Sequence, residues 1–372
     1  MNKILLFITT LLRYYIQSFK DIVKHSSIFT TLVLSVFLYS FFYPIAYQAE
    51  HAESLPIIVV DEEQSILTNT IIGAVANSPN VEIRAVTGNF AEAENMLRSQ
   101  QADGILLLPS NLSNSIRRGE TGGIGLYLSA ANFLKTQKIG LGLASSMENA
   151  LVEYAEKFQN ISDFSPALSI HKIPLFNPLS GYGSYIFPAV APLIIHQTIL
   201  LGLCMLIATY RQNTTWRPSY TQLAGIFLCI LTIGTLGCFY LFGFTFWLND
   251  YPRGGNLWGM FIAVPIFLSC IIAMTLYLAT FLDLPERAGH VIVFSSIPLF
   301  LLSGTAWPHA AMPEWMQILA QVLPSTQGIQ LFLQLNQMGV PTVIVIPKLL
   351  YLTSIGLIFL CLAVWRLNFA KR

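Results

Sequence analysis

The sequence predicts an α-helical integral membrane protein with six transmembrane helices, an α/β extracytoplasmic domain inserted between helices 1 and 2, and a re-entrant segment before helix 6. Three observations carry this. Hydrophobic residues make up 54% of the chain and charged residues only 10%, against roughly 25% charged in an ordinary soluble domain. Apolar runs of the roughly 20 residues needed to cross the hydrocarbon core recur about six times. Between the first two runs lies a long block of soluble composition.

Residues 1–26 open the chain with Ile4, Ile8, Leu11, Leu12, Tyr15, Ile16, Phe19 and Val23 at helical spacing, and Lys3, Arg13, Gln17, Lys20 and Lys24 opposite. That pattern is an amphipathic interfacial helix on the cytoplasmic leaflet; a helix packed on other protein is the alternative. Residues 27–47 are the first span. Its apolar stretch exceeds the roughly 7 to 15 residues of a signal-peptide core, and "PIAYQAEHAES" lacks a small-x-small cleavage site, so an uncleaved signal anchor is expected.

Residues 48–184 mix two periodicities. "LPIIVVD", "VEIRAVTG", "ADGILLLPS" and "GIGLYLSA" read as strands, "SILTNTIIGAVANS" and "FAEAENMLRSQ" as helices, and a long helix follows from about Asn132 to Phe158. The block carries more acidic than basic residues, which gives no electrostatic reason to collect anions. Nothing in the chain's charge suggests nucleic acid.

Residues 185–372 form a five-helix transmembrane domain. Its spans run approximately over Tyr185–Ala208, Leu223–Trp247, Leu257–Leu282, Val291–Ser303 with flanks, and Pro347–Trp365. Ser295, Ser296 and Pro298 weaken the fourth of these. Lys348 opens the last and can snorkel to the outer surface. Lys3, Arg13, Lys20, Lys24, Arg211, Arg217, Arg366, Lys371 and Arg372 flank the spans on one side, which assigns that side and both termini to the cytoplasm. All five cysteines fall in predicted spans, as apolar packing residues without a metal or disulfide signature. The six histidines are scattered, and no cluster suggests a metal or a catalytic nucleophile.

The re-entrant segment is residues 304–340. Pro313 can start a helix and Pro324 must end it, leaving about ten residues, roughly 15 Å, half the hydrocarbon thickness. A second helix is expected from about Thr326 to Met338, with Gly339 as its stop. It aligns Gln327, Gln330, Gln334 and Gln337 on one face, amides that suit water or a translocated solute better than lipid. Trp307 and Trp315 suit the membrane interface.

A cytoplasmic interfacial helix, one span, a large outer domain, then five spans with "LSGTAWPHAAMPEWMQILAQVLPSTQG" before the last resembles the membrane subunit of type 2 ATP-binding-cassette (ABC) exporters, the ABC-2 type permeases. The run Ser303, Gly304, Pro308, Met312, Pro313, Leu323 and Pro324 carries the resemblance most specifically, and "FNPLSGYGSYIFPAVAPLI" from Phe176 to Ile194 also looks like that family. The resemblance implies a bacterial inner-membrane location, a re-entrant cap on the translocation path, a second permease copy or paralogue, and cytoplasmic ABC ATPase subunits. It also implies an ATPase coupling loop at Arg211, Gln212, Asn213, Thr214, Thr215, Trp216 and Arg217. Family members commonly have an acidic "RERGT"-like stretch there, whereas this chain has "YRQNTTWRPSY" without a glutamate.

No G-x-x-x-x-G-K-[ST] phosphate loop occurs. The chain is therefore expected to bind no cofactor itself and to be no enzyme, with ATP and Mg on the partner ATPase. Membrane lipid and a periplasmic adaptor complete the candidate partners. His196 is the one ionisable residue deep in a predicted span. It is a candidate for the translocation path by default, and a hydrogen bond to a neighbouring helix is the alternative. Two other readings of the chain stand beside export: a membrane receptor or scaffold whose outer α/β domain senses a ligand, and a proton-driven transporter, which the absence of buried carboxylates weakens.

Overall fold

The computed structural model describes residues 2–48, 54–118, 123–128, 133–158, 175–178, 181–213 and 216–368. The chain divides into two compact units, residues 51–173 and residues 1–50 with 174–372.

The helical unit begins with α1 (Asn2–Lys24) and α2 (Ser26–Ala46). Ile4 to Ile8, Leu12, Ile16 and Val23 of α1 are exposed, as an interfacial helix requires, but one edge is not free: Ser18 and Ile22 are buried. Helix α2 contains a π-helical stretch, Thr30–Leu34, and carries Pro44 in its last turns.

The second unit runs β1 (Leu55–Asp61), α3 (Ile66–Ala76), β2 (Val81–Thr87), α4 (Phe90–Arg98), β3 (Gly104–Leu108), α5 (Leu112–Arg117), β4 (Gly125–Leu128) and α6 (Phe133–Phe158). The sheet order is β2-β1-β3-β4, with β1 parallel to both neighbours and β3 antiparallel to β4. A central parallel strand is covered on both faces, which explains the unbroken apolar run of β1. Ile57 and Val59 join a core with Leu67, Ile71 and Ile139, while Ile58 and Val60 join Ala93 and Ile105 on the other face. Ser65 caps α3 in a capping box with Thr68. The short helix α5 was not signalled by the sequence pattern.

The buried carboxylate Asp61 terminates β1. Its Oδ1 accepts the backbone N–H groups of Glu63 (3.1 Å) and Gln64 (2.9 Å), and its Oδ2 accepts the Thr68 hydroxyl (2.9 Å).

The helical unit resumes with α7 (Gly183–Arg211), α8 (Tyr220–Leu248), α9 (Leu257–Ala279), α10 (Ala288–Leu302), α11 (Glu314–Val322), α12 (Pro324–Phe332) and α13 (Thr342–Asn368). Among the described residues, five helices are long and apolar enough to cross a membrane: α2, α7, α8, α9 and α13. The stretch expected as the fifth span forms α10, which has 15 residues and so reaches only about 22 Å of a core about 30 Å thick. Helix α7 is the buried centre of the bundle, from Phe187 and Ile195 to Leu203 and Ile207. Pro188 and Pro192 lie inside it. Cys204, Cys229, Cys238 and Cys270 are buried and Cys361 is exposed.

Both faces of the sheet are closed by the unit's own helices, so residues 51–173 expressed alone are expected to give a soluble, cooperatively unfolding protein, checked by size-exclusion chromatography and urea denaturation. In that fragment Asp61→Ala leaves two backbone donors without their acceptor, and the Thr68 hydroxyl with Ser65 O alone, and is expected to lower stability by about 1–3 kcal/mol; an unchanged urea midpoint would contradict the role assigned to Asp61.

Candidate functional site

Proline and glycine shape the segment between α10 and α13. Gly304 stops α10 at φ +83°, in the left-handed region, and a Cβ there would meet the His309 ring. Pro308 is extended and precedes a 3-10 turn, His309–Ala311. Met312 is buried against Leu302 and Ala320. Pro313 was expected inside the first helix; it lies one residue before, at the N-cap of α11, with ψ 145°. Its extended ψ turns the chain, and Glu314 then begins the helix. Pro324 does not merely end α11. Leu323 is extended, as a residue before proline prefers, and Pro324 is the first residue of α12. The second helix thus starts two residues earlier than its predicted Thr326 and closes in a π-helical stretch, Leu333–Gln337. Trp307 and Trp315 are both exposed.

This irregular backbone is satisfied from inside the protein. Gly254 N–H donates to Asn336 O (2.6 Å) and Asn256 N–H to Leu335 O (3.2 Å). Asn256 Nδ2 donates to Val340 O (2.7 Å) and Thr342 Oγ1 (3.1 Å), while its Oδ1 caps α9 at Gly259 N–H (2.9 Å). Gly339 sits at φ +65° directly against Gly254. The Tyr185 hydroxyl donates to Thr305 O (2.7 Å) and the Thr326 hydroxyl to Leu302 O (3.2 Å), fastening the segment to α7 and α10.

Each of the four glutamines has a protein partner. Gln327, buried, donates to Gln321 Oε1. Gln330 donates to His309 Nδ1 (3.1 Å), and Lys348 Nζ donates to Gln330 Oε1 (3.3 Å) and Gln334 Oε1 (3.0 Å). Gln337 donates to Phe176 O (3.3 Å) and Ser184 O (3.1 Å). Lys348 and His309 were not legible as members of this group. Because α13 begins at Thr342, ahead of the expected Pro347, Lys348 lies more than a turn inside it, half-buried beside the glutamines instead of at the start of a span.

His196 stands apart from them. It is fully buried in α7, and neither ring nitrogen has a hydrogen-bond partner. The interhelical hydrogen bond offered as an alternative is therefore not made either.

At the opposite end of the bundle, α7 closes with Tyr210 and Arg211. The Tyr210 hydroxyl donates to Asp21 Oδ2 of α1 (2.6 Å), and Gln17 Nε2 donates to Asp21 Oδ1 (2.8 Å). Tyr15 of α1 donates to Thr232 Oγ1 of α8 (3.3 Å). The Trp216 ring lies 5.4 Å from that of Tyr210. Arg211, expected in the coupling loop, donates from Nε to Leu282 O (3.1 Å), tying α7 to the turn after α9. Gln212, Asn213 and Arg217 are exposed. Thr214 and Thr215 lie outside the described residues. Arg287 pairs with Asp283 (2.6 Å), and the Arg366 guanidinium sits 4.0 Å from the centre of the Phe281 ring, so cations gather at this end.

Among the described residues no group of three or more histidine, cysteine or acidic side chains could hold a metal ion. Long apolar helices around a buried central one, with amides and broken helices at one end and arginines at the other, make a multi-span helical membrane protein. The chain belongs to the ABC-2 family of transporter proteins, whose family profile matches residues 25–365. It is 21% identical over 333 residues to the inner membrane transport permease YhhJ of Escherichia coli (strain K12), covering 84% of each chain, and equally similar to the protein of that name in Shigella flexneri. Members of this family are membrane components of transporters, not themselves catalytic, and generally work with ATP-binding subunits.

Two substitutions test the geometry. His196→Leu removes two buried polar atoms without partners and is expected to raise the thermal unfolding midpoint in detergent, by the equivalent of about 1–3 kcal/mol. Gly339→Val forces a branched side chain into a left-handed backbone position against Gly254 and is expected to lower it, at a cost of roughly 1–3 kcal/mol.

Proposed function

We propose that this chain is the permease subunit of an ABC exporter, pairing with a second copy or a paralogue to form the pathway and driven by separate cytoplasmic ATPase subunits. Family membership supports the transport role, and the observation that carries the coupling is the Asp21–Tyr210–Trp216 contact set. It joins an amphipathic helix, the central helix and the exposed loop that follows. A push on that loop by a closing ATPase pair would reach α7 directly and α9 through Arg211 and Leu282.

The cations gathered at this end, Lys20, Lys24, Arg211, Arg217, Arg287 and Arg366, support a cytoplasmic assignment for it and for both termini. In this reading the α/β unit is periplasmic, and α10 completes a sixth span together with the segment after it, residues 304–340 being re-entrant. Bonded as they are, the glutamines describe a closed exit; in an outward-open state the amides of Gln327, Gln330, Gln334 and Gln337 exchange these partners for water or substrate, and His196 lies on the path beneath them. A receptor or scaffold built on the α/β unit is the weaker account, since it leaves the contact set around Tyr210 without a use.

Mild-detergent purification is expected to recover an ABC ATPase with the chain. Arg217→Glu should weaken that recovery several-fold without affecting membrane insertion, because Arg217 is exposed on the loop. Arg211→Glu should instead destabilise the bundle. Recovery that is indifferent to Arg217→Glu, or nucleotide-driven export by the purified chain alone, would overturn the coupling scheme. Cysteines introduced at 330 and 334 in a cysteine-free background should react with a membrane-impermeant thiol reagent from the periplasmic side, faster in the outward-open state; equal protection in every nucleotide state would make the segment a fixed plug.

A further inference from the structure

Between Arg287 and Arg366 the chain carries only two residues with a full charge, Glu314 and Lys348. Glu314 is exposed at the start of α11. Lys348 is half-buried on α13, and among the described residues none of the ion pairs includes it. Its neighbours are neutral amides. A partly buried ammonium without a counter-charge is costly, and two amide oxygens offset only part of that cost.

The orientation of those amides is fixed by a chain of bonds that starts at a group able only to accept. Leu302 O lies 2.8 Å from His309 Nε2, so that nitrogen carries the proton. His309 Nδ1 then accepts from Gln330 Nε2 at 3.1 Å, which turns Gln330 Oε1 toward Lys348. Gln334 likewise turns its Oε1 to Lys348. Among the described residues, what remains unspent is mainly donors. Lysine has three N–H donors, of which two are used, and the Nε2 group of Gln334 keeps both of its own. The cluster therefore offers surplus donors and one positive charge, and no surplus carboxylate. Beside it on α13, Ile344 and Tyr351 are exposed, the Tyr351 hydroxyl donating to Gln321 O (3.2 Å).

We propose that Lys348, Gln330 and Gln334 form a receptor for an oxyanion, phosphate or carboxylate, borne on an amphiphile whose apolar part lies along Ile344 and Tyr351. The anion supplies the missing counter-charge, accepting from Lys348 Nζ and Gln334 Nε2. His309 is a positioning residue, since it acts on the anion only by turning Gln330. The inference rests on reading the glutamine face as ligand-facing, yet it needs neither an ATPase nor a transport cycle.

The test is binding by the purified full chain in neutral detergent. Mixed micelles hold equal phosphatidylglycerol and phosphatidylcholine with matched acyl chains, and retained lipid is counted by native mass spectrometry. Wild type is expected to prefer phosphatidylglycerol. The preference should fall about fivefold in Lys348→Met, the scale of one lysine's attraction to an anionic membrane surface, and persist in Lys348→Arg. Gln334→Glu keeps the lysine but supplies an internal counter-ion, and it should lose the preference to the same extent even if Lys348→Met fails to fold. Dodecyl phosphate should displace the lipid where inorganic phosphate at equal concentration does not. Equal displacement by inorganic phosphate would overturn the amphiphile, and unchanged preference in Lys348→Met and Gln334→Glu, or none in wild type, would overturn the receptor. Because no ATPase is present, export could fail with this binding intact, and binding could be absent with export intact.

Discussion

Irregular backbone at membrane depth is tolerated only when its polar groups are satisfied inside the protein. Here that condition falls mainly on one asparagine. Asn256 caps α9 with its side-chain oxygen and holds Val340 and Thr342 with its nitrogen, while the adjacent Gly254 and Asn256 N–H groups hold Asn336 and Leu335. The loop between α8 and α9 is thereby stitched to the end of α12 and the start of α13. The break that lets α11 and α12 turn back, the register that brings Gln330 and Gln334 beside Lys348, and the starting point of α13 all depend on that stitching.

The two ends of the helical unit solve different problems with different chemistry. At the glutamine end the partners are neutral, and Lys348 is shared between two amides. At the arginine end they are charged or aromatic: Asp21 with Tyr210, Arg287 with Asp283, Arg366 over Phe281. Buried α7 connects them, with His196 between. Among the five long helices α7 is the most deeply buried, and an unpartnered imidazole there is a local cost carried within a well-packed element.

Much of this was legible in the sequence because it depends on local pattern. The long apolar runs, the strand of unbroken apolar residues that becomes β1, and the stops at Pro324 and Gly339 follow from periodicity and backbone chemistry. What was not legible depends on partners distant in the chain. Arg211 read as part of the coupling loop, and its bond to the carbonyl of Leu282 gave no signal there. Lys348 read as a snorkelling residue at a span's start, yet its partners come from the preceding helix. Val291–Ser303 with its flanks read as a span, and composition alone cannot see that the helix there, Ala288–Leu302, has 15 residues. The outer edge of α1 followed the amphipathic pattern, but Ser18 and Ile22 are buried by neighbours that no helical wheel reveals.

Among the described residues two π-helical stretches, Thr30–Leu34 and Tyr240–Thr245, interrupt otherwise regular helices, and a third, Leu333–Gln337, ends α12. Each holds one residue more than the α-helical turn it replaces. Drawing that residue into regular helix would rotate everything beyond it by about 100° and advance it by about 1.5 Å. Tyr240 opens the second stretch and shares a 3.0 Å hydrogen bond with Ser40, beyond the first on α2. Two neighbouring helices thus each carry a spare residue on either side of one hydroxyl contact, a screw thread by which they can change the faces they present without leaving each other.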